Sequence, residues 1–423
     1  MTTIEVRPDR PANGGAAVGR VDGRVVFVDG AIPGELVRAQ VTDERQQSFW
    51  KAEVVEILEP SPHRIDPACP AARHGAGCCD LGFVDLAHAR TLKAQVLSDA
   101  LTRIGGLDAA DVPVAPLGDG AGADGTRWRV RTRLGVDGSG RVGMRHRHGS
   151  AIVAGFDCAA PESGMLDRLD DLGPTPGADL AVVADADGRR HVTELAPPRR
   201  GSGRGSRARA QSARRRRDAP RAERVLDGDA VAVHRVGERT WRIPVTGFWQ
   251  AHRAAPATYS RAVVDLLAAA EPTAGGLVAW DLYGGAGVFA AALLDDPAAS
   301  VAAVHVVESD AAALAAAAET FDGDDRVTLH RGEVAAAVRD LPTPDVVVLD
   351  PPRTGAGATV IEAIADADPP TIIHVGCDVG RFARDLALFA EHGYHPREIR
   401  GFDAFPATHH VEAIAALVPV RRL

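Results

Sequence analysis

The chain lacks the features of an exported or membrane-spanning protein. No apolar run approaches the roughly 18 residues that a helix needs to cross a bilayer. The N-terminal residues Met1 to Val6 show no basic stretch followed by an apolar one. Five cysteines in 423 residues are too few for a disulfide framework, and their odd number leaves one over. We therefore expect a cytoplasmic, monomeric protein without a membrane partner, in which clustered cysteines bind metal or act as nucleophiles.

Basic residues are outnumbered, and very few of them are lysine. Lys51 and Lys93 are the only lysines, and the net charge of −9 by itself argues against a nucleic-acid partner. Residues 199–224, however, hold eleven arginines against Asp218 and Glu223. This stretch is rich in Gly, Ser, Pro and Ala, which predicts a disordered basic loop. Two interpretations stay open: a solvated linker, or a contact to RNA phosphates that ignores base sequence.

The chain is too long for one ordinary hydrophobic core, and the pattern of apolar and polar residues changes along its length. Residues 1–58 contain short β-rich runs separated by turn signals, typical of a small β-barrel of the oligonucleotide-binding type. Residues 59–235 form a β-rich central region that includes a Cys-rich segment, a helix at 85–104 and the basic loop at 199–224. In residues 236–423 apolar strand-like runs alternate with Ala-rich helical ones, which predicts a doubly wound, Rossmann-like α/β domain.

Three features of this last domain indicate a nucleoside cofactor. The run Asp281–Gly287 is a glycine-rich turn after an apolar strand, where backbone can approach a ligand closely. A second strand ends at Glu308, at a spacing that suits a carboxylate bound to ribose hydroxyls. A third ends at Asp350, followed by Pro-Pro-Arg. A nicotinamide enzyme does not need the third feature, and the turn is not Gly-x-Gly-x-x-Gly, so the pattern favours S-adenosylmethionine over NAD.

Two residues further along could carry chemistry. Cys377 ends the next apolar strand, where a thiol is placed for nucleophilic attack, although a small buried cysteine is the alternative. Glu412 precedes the last apolar run, where it could serve as a general base or be an exposed edge residue.

Taken in order, these segments resemble the RNA uracil-5-methyltransferases. The segments are Phe248-Trp249-Gln250, Asp281-Leu282-Tyr283-Gly284-Gly285-Ala286-Gly287, Val307-Glu308, Asp350-Pro351-Pro352-Arg353-Thr354-Gly355, Cys377 and Asp403-x-Phe405-Pro406-x-Thr408-x-His410-Val411-Glu412. The N-terminal 58 residues resemble the TRAM domain that many of these enzymes carry. The resemblance covers almost the whole chain.

The resemblance implies transfer of a methyl group from S-adenosylmethionine to carbon 5 of a uridine in structured RNA, ribosomal rather than transfer RNA. Cys377 would attack carbon 6 to make carbon 5 nucleophilic, and Glu412 would remove the carbon 5 proton. The residues implied for the cofactor and uracil pockets are Gln250, Tyr283, Gly285, Gly287, Glu308 and Asp350. The target base must leave its stack, so the substrate is expected to be an RNA loop or an extruded base.

Some positions depart from the family pattern. The nucleophile is flanked as Gly376-Cys377-Asp378-Val379 instead of Ser-Cys-Asn-Pro, and Val288 stands where the family has asparagine. Many members bind a [4Fe–4S] cluster through Cys-x5-Cys-Gly-Gly-Cys and a later cysteine. The resemblance implies such a cluster here on Cys69, Cys78, Cys79 and Cys158, although Gly75 occupies the second position; structural or vestigial thiols are the alternative.

Two other functions compete with this hypothesis. A non-catalytic RNA-binding protein could use the barrel and the arginine-rich loop, but it would need neither Cys377 nor Glu412. A methyltransferase for another acceptor, such as an exocyclic amine, commonly shows Asn-Pro-Pro followed by an aromatic residue and needs no cysteine.

Overall fold

The computed structural model describes residues 2–46, 48–108, 111–118, 124–147, 149–198, 221–268 and 276–420. Most of the basic loop predicted at 199–224 therefore lies outside the described residues. None of the helices in the described ranges is long and apolar enough to cross a bilayer.

The N-terminal strands form one six-stranded sheet that curls back on itself. Its order is β1-β5-β6-β4-β3-β2. The strands are β1 (Thr3–Val6), β2 (Arg10–Pro11), β3 (Ala17–Val21), β4 (Arg24–Asp29), β5 (Leu36–Asp43) and β6 (Phe49–Glu59). Alternate residues such as Val26 and Val28 are fully buried, as expected for strands around a small core. A Cβ on Gly19 of β3 would lie 2.8 Å from Val6 Cγ2, so only glycine lets the end of β1 approach β3 this closely.

The central region contains two helices and a second antiparallel sheet of order β10-β9-β8-β11-β12-β13. Its elements are α1 (Pro70–Arg73), α2 (Leu86–Arg103), β7 (Val114–Pro116), β8 (Arg131–Val136), β9 (Val142–Arg145), β10 (Ile152–Ala154), a 3₁₀ turn (Asp170–Leu172), β11 (Asp179–Ala184), β12 (Arg190–Leu195) and β13 (Glu223–Asp227). The helix predicted at 85–104 begins one residue later, because Asp85 caps it by accepting from the His88 amide at 2.9 Å. The predicted end of the basic loop at residue 224 is wrong, since β13 begins at Glu223 and pairs with β12.

A hairpin joins the central region to the C-terminal one. It consists of β14 (Val231–Val236) and β15 (Arg239–Pro244). The domain boundary expected between residues 235 and 236 falls inside this hairpin. Strand β7 also crosses the expected division, because it pairs with the C-terminal sheet.

The C-terminal region is a twisted eight-stranded sheet of order β18-β17-β16-β19-β20-β22-β21-β7. Its further strands are β16 (Leu277–Leu282), β17 (Val301–Glu308), β18 (Val327–Arg331), β19 (Val346–Leu349), β20 (Thr371–Gly376), β21 (Tyr394–Asp403) and β22 (Glu412–Pro419). Its helices are α3 (Ala255–Ala268), α4 (Val288–Asp295), α5 (Ala311–Thr320), α6 (Val334–Ala337), α7 (Ala358–Asp366) and α8 (Val379–Glu391), with 3₁₀ turns at Pro297–Ala299 and Val338–Asp340.

Helices cover both faces of this sheet, as the alternation of strand β19 shows. Val346 and Val348 pack into the core shared with α3, α4 and α5, whereas Val347 and Leu349 pack into the core shared with α2, α7 and α8. Strands β16 to β20 run parallel, with β17 and β18 on one side of β16 and β19 and β20 on the other. The order therefore reverses between β16 and β19, and ligands of doubly wound folds bind at this reversal, beyond the carboxyl ends of the strands.

Candidate active site

Cys377 and Glu412 are neighbours at the carboxyl end of β20. Strands β20 and β22 are antiparallel, and Gly376 pairs with Ala413 at the end of their ladder. Because the strands run in opposite directions, the next opposed pair beyond Gly376 and Ala413 is Cys377, which follows β20, and Glu412, which begins β22. Asp350 follows β19, the parallel neighbour of β20. A thiol and two carboxyl groups therefore lie together at the carboxyl ends of β19 and β20.

Burial makes Cys377, Glu412 and Asp350 weaker acids than the same groups in water. It is the main cause that raises the pKa of Cys377 to about 12 and of Glu412 to about 8, with the charge of Asp350 adding to both shifts. Burial also raises the pKa of Asp350 to about 6, against the opposing effect of His374. Arg353 lowers the pKa of both Cys377 and Glu412. The site is thus short of positive charge, and a cationic ligand such as a sulfonium would favour the ionised forms of all three groups.

Tyr259, on α3, is a polar residue of this site that the sequence analysis missed. Its side chain is 1% exposed, and its hydroxyl has no hydrogen-bond partner among the described residues. Burial and then the negative charge of Glu412 raise its pKa well above the usual value. The ring packs edge-on against Phe402 of β21, with the centroids 5.6 Å apart.

The glycine-rich turn after β16 depends on left-handed backbone. Tyr283, Gly285 and Gly287 have φ angles of +58°, +56° and +79°. At Gly287 a Cβ would lie 2.5 Å from Phe321 Cε2, so the position requires glycine for space as well as conformation. Trp241 of β15 supports the turn by donating from Nε1 to the Ala286 carbonyl at 2.9 Å.

Glu308 lies against this turn at the end of β17. Its Oε2 accepts from the Gly285 amide at 3.1 Å, and its Oε1 accepts from the Asp310 amide at 2.7 Å. Asp281, which the sequence analysis did not single out as a site residue, is fully buried beneath the turn. One of its oxygens accepts from the Ala290 amide at 3.0 Å, the other has no partner among the described residues, and burial raises its pKa to about 7.

Gln250 follows a tryptophan that packs beside the glycine turn. The Trp249 and Trp241 ring centroids are 5.7 Å apart, and Trp241 bonds Ala286 of the turn. Phe248, on the other side of Trp249, is 72% exposed, which leaves an aromatic face open at this edge. The structure therefore brings the segment 248–250 to the same side of the domain as the glycine turn.

Asp385 holds the loop that follows Asp350 and Pro351. It accepts from the amides of Ala356 at 2.7 Å and Gly357 at 3.3 Å. The buried ring of His374 lies 3.2 Å from the same carboxylate, and this contact holds the pKa of Asp385 below its usual value despite burial.

The loop between β21 and Glu412 is anchored by residues from the central region. Lys93 of α2 is buried and donates to Asp403 Oδ1 at 2.5 Å and to the Phe405 carbonyl at 3.0 Å. Leu81, next to the Cys-rich segment, donates from its amide to the Ala407 carbonyl at 2.9 Å. The base candidate at position 412 is thus held from outside its own domain.

The four remaining cysteines converge, although Cys158 is far from the others in sequence. Their sulfur atoms all lie within 4.8 Å of one another. Cys69 Sγ is 3.5 Å from Cys78 Sγ and 3.9 Å from Cys158 Sγ. Hydrogen bonds from neighbouring thiols, that of Cys158 first, hold the pKa of Cys69 far below its usual value, and the half-buried Arg129 guanidinium interacts with Cys158, Cys79 and Cys78.

Comparisons with known proteins agree with this architecture. Residues 2–55 match the TRAM domain family. An RNA methyltransferase of Corynebacterium glutamicum is 40% identical over 99% of this chain and 97% of its own length. The 23S rRNA (uracil(1939)-C(5))-methyltransferase of Halomonas elongata is 30% identical over 96% of this chain and 87% of its own. The crystal structure of the Pyrococcus abyssi tRNA (uracil-54, C5)-methyltransferase has the same fold, with a TM-score of 0.70, 18% identity, and coverage of 98% of this chain and 99% of that one.

The fold and the relatives define the class: this is an S-adenosylmethionine-dependent RNA methyltransferase with an N-terminal TRAM domain. Within that class, the chain belongs to the RNA uracil-5-methyltransferase family.

Proposed function

We propose that this enzyme methylates carbon 5 of a uridine through a covalent bond between Cys377 and carbon 6. The observation that carries the proposal is the placement of Cys377 beside Glu412 at the end of two paired strands. In the sheet, the glycine turn after β16 lies two strands from β20, and Glu308 at the end of β17 lies three strands from it. We assign both to S-adenosylmethionine, together with Gln250, Tyr283, Gly285, Gly287 and Asp350. Because β16, β17 and β20 run parallel, their carboxyl ends lie on one side of the sheet, and this supports the assignment of Cys377 as the nucleophile, Glu412 as the base and the glycine turn as part of the nucleoside pocket.

The proposed reaction begins at carbon 6 of the uracil ring. The Cys377 thiolate forms a bond to carbon 6, and the electron pair of the carbon 5–carbon 6 double bond moves towards oxygen 4 as an enolate. Carbon 5 then takes the methyl group, and S-adenosylhomocysteine leaves with the electron pair of the broken carbon–sulfur bond. Glu412 takes the carbon 5 proton, the double bond returns, and the thiolate leaves carbon 6.

The raised pKa values support the roles of Glu412 as the base and Cys377 as the nucleophile. A carboxyl group with a pKa of about 8 is a stronger base than an ordinary glutamate once it is ionised. The Cys377 thiol, with a pKa of about 12, is largely protonated in the ligand-free protein. A sulfonium in the pocket stabilises the thiolate by its charge, so we infer that the cysteine becomes nucleophilic chiefly after S-adenosylmethionine has bound.

We infer that the substrate is a loop of ribosomal RNA and that one monomer suffices for activity. A relative that matches nearly the whole chain is named for a 23S rRNA uracil, and this supports ribosomal over transfer RNA. Mapping 5-methyluridine in RNA from a strain without the gene tests the assignment. A 5-methyluridine that disappears from ribosomal RNA is expected, and a loss confined to transfer RNA would contradict it.

Denaturing electrophoresis of enzyme with substrate RNA tests the covalent mechanism. Cys377→Ala is expected to bind RNA and cosubstrate but to form no adduct and transfer no methyl group. Glu412→Gln keeps the shape of the side chain and removes the base, so it is expected to transfer the methyl group and then accumulate a protein–RNA complex that survives denaturation.

Wild-type enzyme with 5-fluorouridine RNA is the positive control, because fluorine cannot leave carbon 5 as a cation and the adduct persists. Asp99→Asn, on the exposed face of α2, is the negative control and should methylate at the normal rate. Methylation by Cys377→Ala at the normal rate would rule out the nucleophile and the reaction class with it.

A further inference from the structure

We propose that Cys69, Cys78, Cys79 and Cys158 bind a single Zn²⁺ ion in place of the [4Fe–4S] cluster that the family resemblance implies. The four residues form one cluster, with sulfur atoms within 4.8 Å of one another. The assignment does not depend on the methylation mechanism, because it concerns a separate site in the central region.

The distances between the sulfur atoms fit one ion. A zinc ion binds thiolates at about 2.3 Å, and a tetrahedron with that radius has sulfur–sulfur edges of about 3.8 Å. The separations of Cys69 from Cys78 and from Cys158 are 3.5 and 3.9 Å. In a four-iron cluster each thiolate binds a different iron and points outward from a cube, so the sulfur atoms stand farther apart than around one ion.

The backbone also excludes the usual second ligand of the iron–sulfur segment. Gly75 occupies that position with φ of +88°, a conformation that side-chain-bearing residues rarely adopt. A Cβ there would lie 2.7 Å from His146 Nε2, and the adjacent Ala76 forms a bridge with His146. The fourth ligand is instead Cys79, next to Cys78, which draws the set of sulfur atoms together.

The site has the closed character of a structural zinc centre. Four thiolates fill a tetrahedral site, so no coordination position is left open for a substrate. Cys69, Cys79 and Cys158 are 2%, 7% and 0% exposed, and Cys78 is half-buried. The Arg129 guanidinium interacts with the thiols and can balance the negative charge of a four-thiolate zinc centre. Zinc also binds such ligands more tightly than ferrous iron does.

The position of the cluster indicates what the ion does. Asp80 and Leu81 follow Cys79 directly and bond His409 and the Ala407 carbonyl, in the loop that leads to Glu412. Cys158 sits beside Ala159 and Ala160, whose carbonyls accept from the amides of Arg127 and Arg129. An ion at the four sulfur atoms therefore ties two distant segments to the loop of the base, and it takes no part in electron transfer.

Metal analysis of the full-length protein tests the proposal. The protein is expressed in medium that contains both zinc and iron, purified without oxygen, chelator or affinity metal, and assayed for zinc, iron and acid-labile sulfide. One zinc per chain, no sulfide and no visible absorption are expected. Iron with sulfide would restore the cluster, one iron without sulfide would replace zinc by a single iron, and absence of any metal would leave plain thiols; each result overturns the proposal.

Variants and a spectroscopic probe separate ligation from folding. Cys158→Ser is expected to lose at least nine-tenths of the bound zinc, whereas Cys377→Ser, the cysteine outside the cluster, keeps it. If Cys158→Ser does not fold, Co²⁺ exchanged into the wild type decides the question. Intense thiolate-to-cobalt and tetrahedral bands, abolished by one equivalent of Zn²⁺, are expected; an octahedral cobalt spectrum would contradict the four-thiolate site.

Discussion

Asp80 and His409 join the Cys-rich segment to the loop that leads to Glu412. The His409 amide donates to Asp80 Oδ1 at 3.1 Å, and the His409 ring Nδ1 contacts Asp80 Oδ2. Burial opposes ionisation of Asp80, but the contact with His409 holds its pKa below the usual value. Two residues separated by more than three hundred positions in sequence thus form a hydrogen-bonded contact three residues before the base candidate.

Asp80→Asn is expected to slow methyl transfer more than it weakens binding. The variant keeps one oxygen that can accept from the His409 amide but loses the negative charge and the second oxygen, which contacts the His409 ring, so the loop carrying Glu412 is less firmly held. We expect kcat to fall about tenfold, equivalent to about 1.4 kcal/mol of transition-state stabilisation. The affinity for S-adenosylhomocysteine, measured by calorimetry, is expected to stay the same. Asp99→Asn on α2 is the matched control, and equal loss of binding and turnover in Asp80→Asn would show that the contact only stabilises the fold.

Lys93 is expected to contribute strongly to stability although it is one of two lysines. Its ammonium is buried against Asp403 and the Phe405 carbonyl, and burial lowers its pKa while Asp403 opposes the shift. Lys93→Met leaves the buried Asp403 with only the more distant Arg90, 4.0 Å away, as a cationic partner, which should cost about 3–5 kcal/mol in the free energy of unfolding by urea. Adding Asp403→Asn to Lys93→Met should recover part of that loss. Lys51→Met, at the exposed lysine of β6, is the control, and an equal effect of the two single substitutions would refute the importance of the buried pair.

The sequence predicted the C-terminal domain well because its signals are local. Strand β19 is four consecutive apolar residues followed by Asp350, and Gly287 precedes a helix as such turns do. Parallel topology then brings the ends of β16, β17 and β19 together by rule, so the positions of Tyr283, Glu308 and Asp350 along one edge follow from pattern alone.

The contacts between regions could not be predicted in this way. Nothing in the spacing of α2 indicates that Lys93 reaches Asp403, since the pair is separated by 310 positions and depends on the packing of α2 against the sheet. From the sequence, Tyr259 is one apolar position of α3. A polar role becomes visible only in the structure, where its buried hydroxyl has no partner within the described part of the chain. The pairing of β7 with β21 is equally non-local. The scarcity of lysine was the one signal that could have drawn attention to Lys93.

Gly287→Ala is expected to disturb the cosubstrate pocket by a steric clash, in addition to the strain of an alanine with a positive φ angle. Its added Cβ would lie 2.5 Å from the Phe321 ring, which belongs to the packed core, so the turn or the ring must move. Gly323→Ala is the matched control, because its φ of +77° is nearly the same and its Cβ would meet no atom within 4 Å. We expect Gly287→Ala to lose about 1–3 kcal/mol more stability than the control. Binding of S-adenosylhomocysteine should be weakened at least tenfold in Gly287→Ala alone, and equal affinities in the two variants would remove Gly287 from the pocket.

Glu412 should make the folded protein less stable as the pH rises. Burial raises its pKa from 4.5 to about 8, so between these values the folded state keeps a proton that the unfolded state has released. Unfolding therefore releases a proton in this window, and the contribution of Glu412 to stability, complete below about pH 4.5, is lost as the pH rises towards 8. The slope from this one group is at most about 1.4 kcal/mol per pH unit.

Glu412→Gln removes the titrating proton and keeps the size of the side chain, so the variant should gain stability relative to the wild type as the pH rises. The free energy of unfolding by urea is to be measured for both proteins, without ligands, at several values from about pH 5 to about pH 8. Glu391→Gln, at an exposed carboxylate of α8, gives the general effect of replacing a glutamate, which is subtracted. A difference between Glu412→Gln and the wild type that is constant across the range would mean that Glu412 is already ionised in the folded protein. In that case the enzyme would hold its base ready before the cosubstrate binds, and the sulfonium would not be needed to ionise it.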